Sequence, residues 1–129
     1  ITGDVSYMKE AGKVIKYAFY GSACTKDGLL RHEGENDDQS IFKAGLIPYA
    51  VNYVLDPKAD KTVAAQIREK LLFNAKTLNK NLRKDEYPNM FANYFWGEKV
   101  AERGLVRMGA HCSGAALIEG VARMTAAEN

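Results

Sequence analysis

Four stretches of the 129-residue chain repeat apolar side chains at steps of three and four residues, which is the spacing of one helix face. The clearest stretch, from about Asp60 to Leu82, is rich in Ala, Gln, Arg, Glu and Lys, which favour the helical state. The others run from about Tyr7 to Phe19, Asp38 to Leu55 and Ser113 to Ala127. The sequence has no strand pattern of useful length and no repeat of fixed period. It therefore predicts an all-α fold of antiparallel helical hairpins.

Residues at the ends of these stretches predict where the helices begin and end. Gly21 stands at the expected C-cap of the first helix, Asp37 or Asp38 can cap the start of the second, and Ser113 can cap the start of the fourth. Pro48 lies inside the second stretch, so we expect a kink or an early stop there. The apolar stripes expected to face the core are Tyr7, Met8, Ala11, Val14, Ile15, Ala18 and Phe19 in the first helix; Phe42, Leu46, Tyr49 and Tyr53 in the second; Val63, Ile67, Leu71, Ala75, Leu78 and Leu82 in the third; and Leu117, Val121 and Met124 in the fourth.

Composition and charge exclude several classes of protein. With 47% apolar and 26% charged residues, the chain can bury a core. A formal charge of +2 gives no electrostatic footprint for nucleic acid. No apolar run approaches the roughly 20 residues needed to span a bilayer, so we expect no membrane insertion. Cys24 and Cys112 are too few for a disulfide scaffold or a four-cysteine zinc module, and whether they pair stays open.

The densest group of polar residues runs from Arg31 to Gln39, before the second helix, with Lys43 about one turn inside that helix. Interleaved carboxylates, amides and basic groups can hold many hydroxyls, as sugar recognition requires. The adjacent Asp37 and Asp38 could also act as a carboxylate pair, which in retaining glycosidases is separated by about 5–5.5 Å. The alternative is that these carboxylates only cap a helix and face solvent.

The same loop contains residue types that bind metals, but their spacing matches neither an EF-hand nor a zinc helix motif. We therefore expect no metal and a solvated histidine. His111 and Cys112 are sequence neighbours, which rarely meet in the geometry of a nucleophile and its base, so a histidine at a helix entry is expected instead. The residues of possible metal-binding type in the loop are His32, Glu33, Glu35 and Asp37.

A second long connection of about thirty residues, from Arg83 to Cys112, carries most of the remaining aromatic side chains. Such side chains can stack on sugar faces or close the end of a helical core, and core packing is the more common role. Trp96 is the best candidate for a ligand contact. The aromatic residues are Tyr87, Phe91, Tyr94, Phe95 and Trp96.

The order of these features resembles the C-terminal part of glycoside hydrolase family 76, the α-1,6-mannanases and their fungal cell-wall relatives. Its most specific piece is the Asp-Gln, two residues, Phe-Lys run at 38–43, after which Ala44 displaces the glycine that often follows the lysine. The other matching segments are Gly28-Leu29-Leu30, Asn74-Ala75, the aromatic loop around Trp96, and Ser113-Gly114-Ala115-Ala116.

The resemblance implies that residues 1–129 are one all-α segment, an arc of an (α/α)6 toroid, from a larger glycosidase domain. The chain opens at Ile1 without an initiator methionine, in line with a piece of a longer product. The family uses two adjacent aspartates in its N-terminal half, so the catalytic pair is expected upstream. Asp37-Asp38 continues into the later, non-catalytic motif and does not receive that role.

Asp38, Gln39 and Lys43 match the later motif and are implied to line or brace the cleft. With Trp96, they are the predicted substrate-binding residues. The resemblance further implies a mannan-type polysaccharide substrate, no cofactor, and a periplasmic, cell-surface or secreted location.

The fragment alone is expected to be inactive. It is also expected to self-associate, because an open arc leaves helix faces uncovered. Two alternatives remain: a helical-repeat interaction module, and a small self-contained hydrolase that uses Asp37 and Asp38.

Overall fold

The computed structural model describes residues 4–84, 90–100 and 107–127. Helices make up most of these residues, and a short antiparallel hairpin of two-residue strands lies between the first helix and the second. The predicted all-α class is confirmed, and the short hairpin is an element that the sequence did not predict. The elements are α1 (Val5–Tyr20), β1 (Thr25–Lys26), β2 (Leu29–Leu30), α2 (Asp37–Ser40), α3 (Phe42–Leu55), α4 (Lys61–Asn81) and α5 (Met108–Ala126).

Helix α4 is the central element, since it contacts α1, α3, α5 and β2. The carboxylate of Asp60 accepts a hydrogen bond from the Val63 backbone at 2.9 Å, which caps the helix where the sequence predicts its start. The predicted stripe is confirmed at Ile67, Leu71, Ala75 and Leu78, which are buried. This helix therefore supplies the middle of the core.

Small residues on α5 allow it to pack closely on its neighbours. A Cβ atom at Gly120 would lie 2.8 Å from Ile47 Cγ2 and 3.2 Å from Val51 Cγ2 on α3. A Cβ atom at Gly114 would lie 2.7 Å from the Cβ of Ala92. These distances are shorter than ordinary carbon contacts of about 3.5–4.0 Å, so the absence of side chains is what brings α5 against α3 and residue 92.

The buried face of α1 differs from the predicted stripe. Ile15 and Phe19 are buried as predicted, but Tyr7 and Val14 face outward with 65% and 68% of their surface exposed. Gly12 is buried instead, because the hydroxyl of Tyr53 occupies the space where a Cβ atom would lie. The approach of α3 at a glycine thus rotates the buried face of α1, which an apolar count cannot detect.

The second predicted helix is divided at Ile41 into α2 and α3, and its cap is Asn36, not Asp37 or Asp38. The side chain of Asn36 accepts the Gln39 backbone N–H at 2.8 Å. Pro48 does not end α3, which continues to Leu55; its ring lies on the exposed side of the helix.

The predicted stripe of α3 is wrong at two of its four positions. Phe42 and Tyr49 are exposed, whereas Lys43, Ile47, Ala50 and Val51 are buried, and Tyr53 is buried as predicted. The sequence pattern places lysine in solvent, so the face that carries Lys43 is not read as the core face.

The fourth helix begins at Met108 and not at Ser113. Ser113 is wholly buried inside α5, where its hydroxyl donates to the Ala110 carbonyl at 2.9 Å. Leu117 and Met124 are buried as predicted. Small residues at the start of α5 gave no apolar periodicity, which explains the late prediction of its beginning.

The hairpin turns through Asp27 and Gly28, both with positive φ angles (54° and 79°). This Asp-Gly pair is the sequence signal of a two-residue hairpin turn, although strands of two residues are too short to show alternation. Asn74, fully buried on α4, accepts the Leu30 backbone N–H at 3.0 Å and donates to the Lys70 carbonyl at 2.8 Å. The hairpin is therefore attached to the central helix by one side chain.

Both cysteines are free thiols; Cys24 is partly buried and Cys112 is exposed. Within the described ranges, no helix combines the length and the apolar character that crossing a bilayer requires.

Two glycines provide opposite tests of this packing. Gly45→Ala on α3 is expected to raise the free energy of unfolding by up to about 1 kcal/mol, since a Cβ atom there meets nothing within 4 Å and alanine favours helix. Gly109→Ala on α5 is expected to lower it by about 1–3 kcal/mol, because the new methyl overlaps the Asp37 carbonyl oxygen. Urea unfolding measures both. Equal effects of the two substitutions would contradict the close contact of α2 and α5.

Candidate functional site

The polar loop 31–36 and the aromatic segment 90–99 meet at Lys43, on the first turn of α3. Only 4% of the Lys43 surface is exposed. Its Nζ atom donates to the Tyr94 backbone carbonyl at 2.5 Å and lies 4.1 Å from the centroid of the Trp96 ring. A buried ammonium thus joins α3 to the aromatic segment through a hydrogen bond and a cation–π contact.

Burial lowers the pKa of Lys43 to about 7, because a charged amine loses hydration inside the protein. The carboxylate of Glu33 opposes this effect by attracting the charge. Glu33 itself is exposed. Lys43 therefore changes between its charged and neutral forms near neutral pH.

Trp96 has no exposed surface. Its backbone carbonyl accepts a hydrogen bond from the Asn81 side chain at 2.9 Å, at the end of α4. Arg83 and Phe91 exchange two backbone hydrogen bonds, of 3.0 and 3.1 Å, which attach the segment a second time. A fully buried indole has no face open to a sugar ring, so Trp96 is placed beneath Lys43 and not on an open rim.

The other aromatic residues follow the core-packing expectation in part. Phe95 is buried, while Phe91 and Tyr94 are partly buried. Tyr87 lies outside the described residues. Burial raises the pKa of Tyr94, and the neighbouring Glu35 carboxylate, which also hydrogen-bonds the phenol, adds to the rise.

His32 is not the solvated histidine that the sequence predicts. Its ring packs edge-on against Tyr94, with centroids 4.9 Å apart, and lies 6.1 Å from Phe95. Its Nδ1 atom is buried and finds no hydrogen-bond partner among the described residues. Aromatic packing with the distant segment 90–99, invisible in the local sequence, covers part of the ring and leaves His32 half-buried. Across residues 4–84, 90–100 and 107–127, no three His, Cys, Asp or Glu side chains are grouped to hold a metal ion.

Asp37 has a structural role. Its carboxylate accepts the Gly109 backbone N–H at 3.3 Å and lies 4.0 Å from the Arg107 guanidinium. It therefore caps the start of α5, where an anion is favoured by the free N–H groups of the first turn. Arg107, at the N-cap position itself, makes no capping bond with its side chain. The carboxylate that stabilises this helix end comes from α2, seventy-two positions away in the chain.

The structure places the predicted substrate-binding residues in two groups. Lys43 and Trp96 touch each other inside the protein. Asp38 and Gln39 are exposed on α2, which a single residue, Ile41, separates from α3. The Gln39 side chain lies over Gly34, where a Cβ atom would overlap the amide oxygen. The exposed groups and the buried pair therefore belong to neighbouring parts of the same end of α3.

His111 and Cys112 are both exposed on the first turn of α5. The His111 ring lies 5.8 Å from that of Phe91, which gives it a packing role at the helix entry. Sequence reasoning missed Asn81, whose contact with Trp96 crosses fifteen positions of chain. It recognised His32 and Glu33 in the polar loop, but only as residues of metal-binding type and not as neighbours of Tyr94 and Lys43.

The helices and this site define part of an α/α toroid, the architecture that the sequence resemblance implies. The match is to glycoside hydrolase family 76: the GH76A alpha-1,6-mannanase from Salegentibacter sp. HEL1_6 aligns with a TM-score of 0.85 and 28% identity. The alignment covers 95% of this chain and 35% of that one. The resemblance to this family is thereby confirmed at the level of the fold, for a chain that spans about a third of its matched structure.

Two inactive variants of the same enzyme match as well. One, with two aspartates changed to alanine, is in complex with alpha-1,6-mannotetrose and aligns with a TM-score of 0.84; it covers 34% of that chain. The other, with two aspartates changed to asparagine, is in complex with alpha-1,6-mannotriose and also aligns at 0.84, covering 35% of that chain. Both are 28% identical to this chain over 95% of its length. No family model and no curated protein matches the sequence.

The two aspartates of α2 should differ in their effect on stability. Asp37→Ala removes the cap of α5 and is expected to lower the free energy of unfolding by about 0.5–2 kcal/mol. Asp38→Ala, at an exposed position, is expected to change it by less than about 0.5 kcal/mol. Urea unfolding followed by circular dichroism separates the two. Similar losses for both variants would argue against the capping role of Asp37.

Proposed function

We propose that this chain forms part of a saccharide cleft in a family 76 type glycoside hydrolase acting on α-1,6-linked mannan. It contributes cleft residues and not the catalytic aspartate pair. The observation that carries the proposal is the structural match over 95% of the chain to an alpha-1,6-mannanase, with oligosaccharide complexes among the matched structures. Because the chain spans about 35% of that enzyme, the activity and substrate of a whole protein are part of the proposal.

We do not propose Asp37 and Asp38 as the catalytic pair, because of the contacts that Asp37 makes. The sequence contains one pair of adjacent aspartates, Asp37-Asp38, and the first of them is held by Gly109 and Arg107 at the start of α5. A carboxylate engaged by a helix end is poorly placed to attack a sugar carbon. This geometry disfavours the alternative of a self-contained hydrolase.

Asp38 and Gln39 are the exposed residues that we propose to contact sugar hydroxyls, while Lys43 and Trp96 support them from inside. The carboxylate and the amide provide acceptors and a donor on α2, and the loop that leads into this helix carries Glu33 and Glu35. A mannan substrate is a polymer found outside the cytoplasm, so we propose a periplasmic, cell-surface or secreted location.

Binding and turnover test this function separately. Incubated with α-1,6-mannan, the chain should release no reducing ends. Titrated with α-1,6-mannotetraose, it should show amide shifts in its nitrogen–proton NMR spectrum at residues 38–39 and 94. Asp38→Asn and Gln39→Ala should weaken binding about tenfold, the equivalent of about 1.4 kcal/mol.

The matched control is Glu10→Gln, which removes an exposed carboxylate on α1 that pairs with Lys13 three residues away. It should bind like the unchanged chain. Turnover by the isolated chain would support the self-contained hydrolase instead. Equal shifts with a β-1,4-linked tetrasaccharide, or none with either sugar, would overturn the proposed specificity or the cleft.

Self-association is the second part of the proposal, with another copy of the chain as the partner. An apolar groove of about 330 Å³ lies between α4, α5 and residues 90–92, and is lined by Leu78, Leu82 and Ile118 among others. Large apolar side chains are exposed on several helices, a pattern typical of surfaces that are covered in an assembly. They include Val5, Tyr7, Val14, Tyr17, Phe42, Tyr49, Met108 and Ile118.

Sedimentation velocity at rising concentration should show dimers or larger species. Ile118→Glu places a charge in the groove. It should raise the concentration at which dimers form by at least tenfold. Thr62→Glu adds the same charge at an exposed position of α4 outside the groove and should leave the distribution unchanged. A monomer at every concentration would reject self-association without affecting the saccharide proposal.

A further inference from the structure

Lys43 stands out because a lysine is seldom buried without a role for its charge. Transfer of an ammonium out of water is costly unless polar partners replace its hydration. Here the Tyr94 carbonyl and the Trp96 ring, both from the aromatic segment, supply the contacts, and the Glu33 carboxylate of the loop attracts the charge at longer range. Lys43 itself belongs to α3, so a single amine contacts or attracts three parts of the chain.

The partners of Lys43 are also the neighbours of the exposed candidate residues. Glu33 lies in the loop that leads into α2, where Asp38 and Gln39 stand. Tyr94 carries the phenol that bonds to Glu35 of that loop and the ring that packs on His32. A change in the charge of the Lys43 amine therefore affects both the 31–36 loop and the 94–96 segment, which form the two sides of the proposed site.

We propose that Lys43 is a positioning residue: its buried ammonium holds the 31–36 loop and the 94–96 segment together, and so sets the geometry of the proposed saccharide site. The part of this proposal that concerns sugar binding rests on the proposed function, whereas the joining of the two segments does not. Lys43 touches no sugar in this scheme and acts through Glu33, Tyr94 and Trp96.

The charge of Lys43 is what makes this joining selective. A neutral amine can still donate a hydrogen bond to the Tyr94 carbonyl, but it loses the attraction to Glu33 and to the indole face. Near pH 7 a change of pH therefore alters the cation–π contact with Trp96 and the attraction to Glu33. The titratable or charged groups on the described elements around Lys43 are Arg31, His32, Glu33 and Glu35 of the loop, Asp37 and Asp38 of α2, Tyr94, Glu98 and Lys99 of the aromatic segment with Lys26 as the partner of Glu98, and Arg107, His111, Cys112, Glu119 and Arg123 of α5 and its N-cap.

The direction in which the stability changes with pH distinguishes a positioning role of Lys43 from a simple stabilising role. The pKa of Lys43 is lowered on folding, so between about pH 7 and its ordinary value of 10.5 the unfolded chain binds more protons. The stability contributed by this residue must then rise as the pH increases through that window. The buried ammonium therefore lowers the stability of the folded chain, and its contacts position the loop and the aromatic segment despite this loss.

Trp96 is the single tryptophan of the chain, so its fluorescence reports on Lys43 directly. Between pH 5 and 9, emission should change with a midpoint near 7. Glu33→Gln removes the charge that raises this pKa and should move the midpoint to lower pH. Lys43→Met should abolish the transition, and Lys43→Arg should abolish it while keeping the low-pH emission, since a guanidinium stays charged throughout.

His32→Gln is the matched control, because histidine ordinarily titrates in the same range and His32 packs on the same segment. This variant should keep the transition. A transition that persists in Lys43→Met, or a midpoint that Glu33→Gln leaves in place, would overturn the proposal. Glu33 is exposed, so that variant decides the question even if Lys43→Met fails to fold.

A second measurement links the lysine to sugar binding. Affinity for α-1,6-mannotetraose should fall severalfold from pH 6 to pH 8 in the unchanged chain and stay constant in Lys43→Arg. An equal fall in both proteins would remove the positioning role. Absence of binding at every pH would count against the proposed function alone, while the fluorescence result would still test whether the charge of Lys43 is coupled to Trp96 and Glu33.

Discussion

The close approach of α5 to its neighbours is the constraint on which the rest of the structure depends. Glycines at 114 and 120 let α5 settle against residue 92 and against α3. Gly109 does the same against the Asp37 carbonyl, which brings the start of α5 within reach of the Asp37 carboxylate. The end of the molecule that contains α2, the polar loop and the aromatic segment is thereby fixed in place by residues that contribute almost no apolar surface of their own.

The parts of the fold that were predictable are those determined by local pattern. Helix α4 follows its apolar stripe and its Asp60 cap, and the helical class follows from the same periodicity. The errors occur where a distant contact overrides that pattern. Lys43 is buried because Tyr94 and Trp96 cover it, Gly12 is buried because Tyr53 reaches it, and α5 begins early because Asp37 caps it. None of these partners lies within a helical window of the residue it affects.

The candidate site shows the same division. The polar loop and the aromatic segment were both recognisable as unusual, and the family resemblance implied that Lys43 lines or braces a cleft with Asp38 and Gln39. Their meeting at a buried amine was not predictable, and neither was the burial of Trp96 or of the Nδ1 atom of His32. The site as folded has carboxylates and an amide outside and a lysine–tryptophan pair inside.

The glycine contacts of α5 also bear on how such a sequence can diverge. At 120 the neighbours are the side chains of Ile47 and Val51, so a larger residue there can be accommodated when its neighbours become smaller. At 109 the neighbour is a main-chain carbonyl, which no substitution can shrink. Among homologues we expect position 120 to vary together with 47 and 51, whereas position 109 should remain glycine for as long as α2 rests on α5.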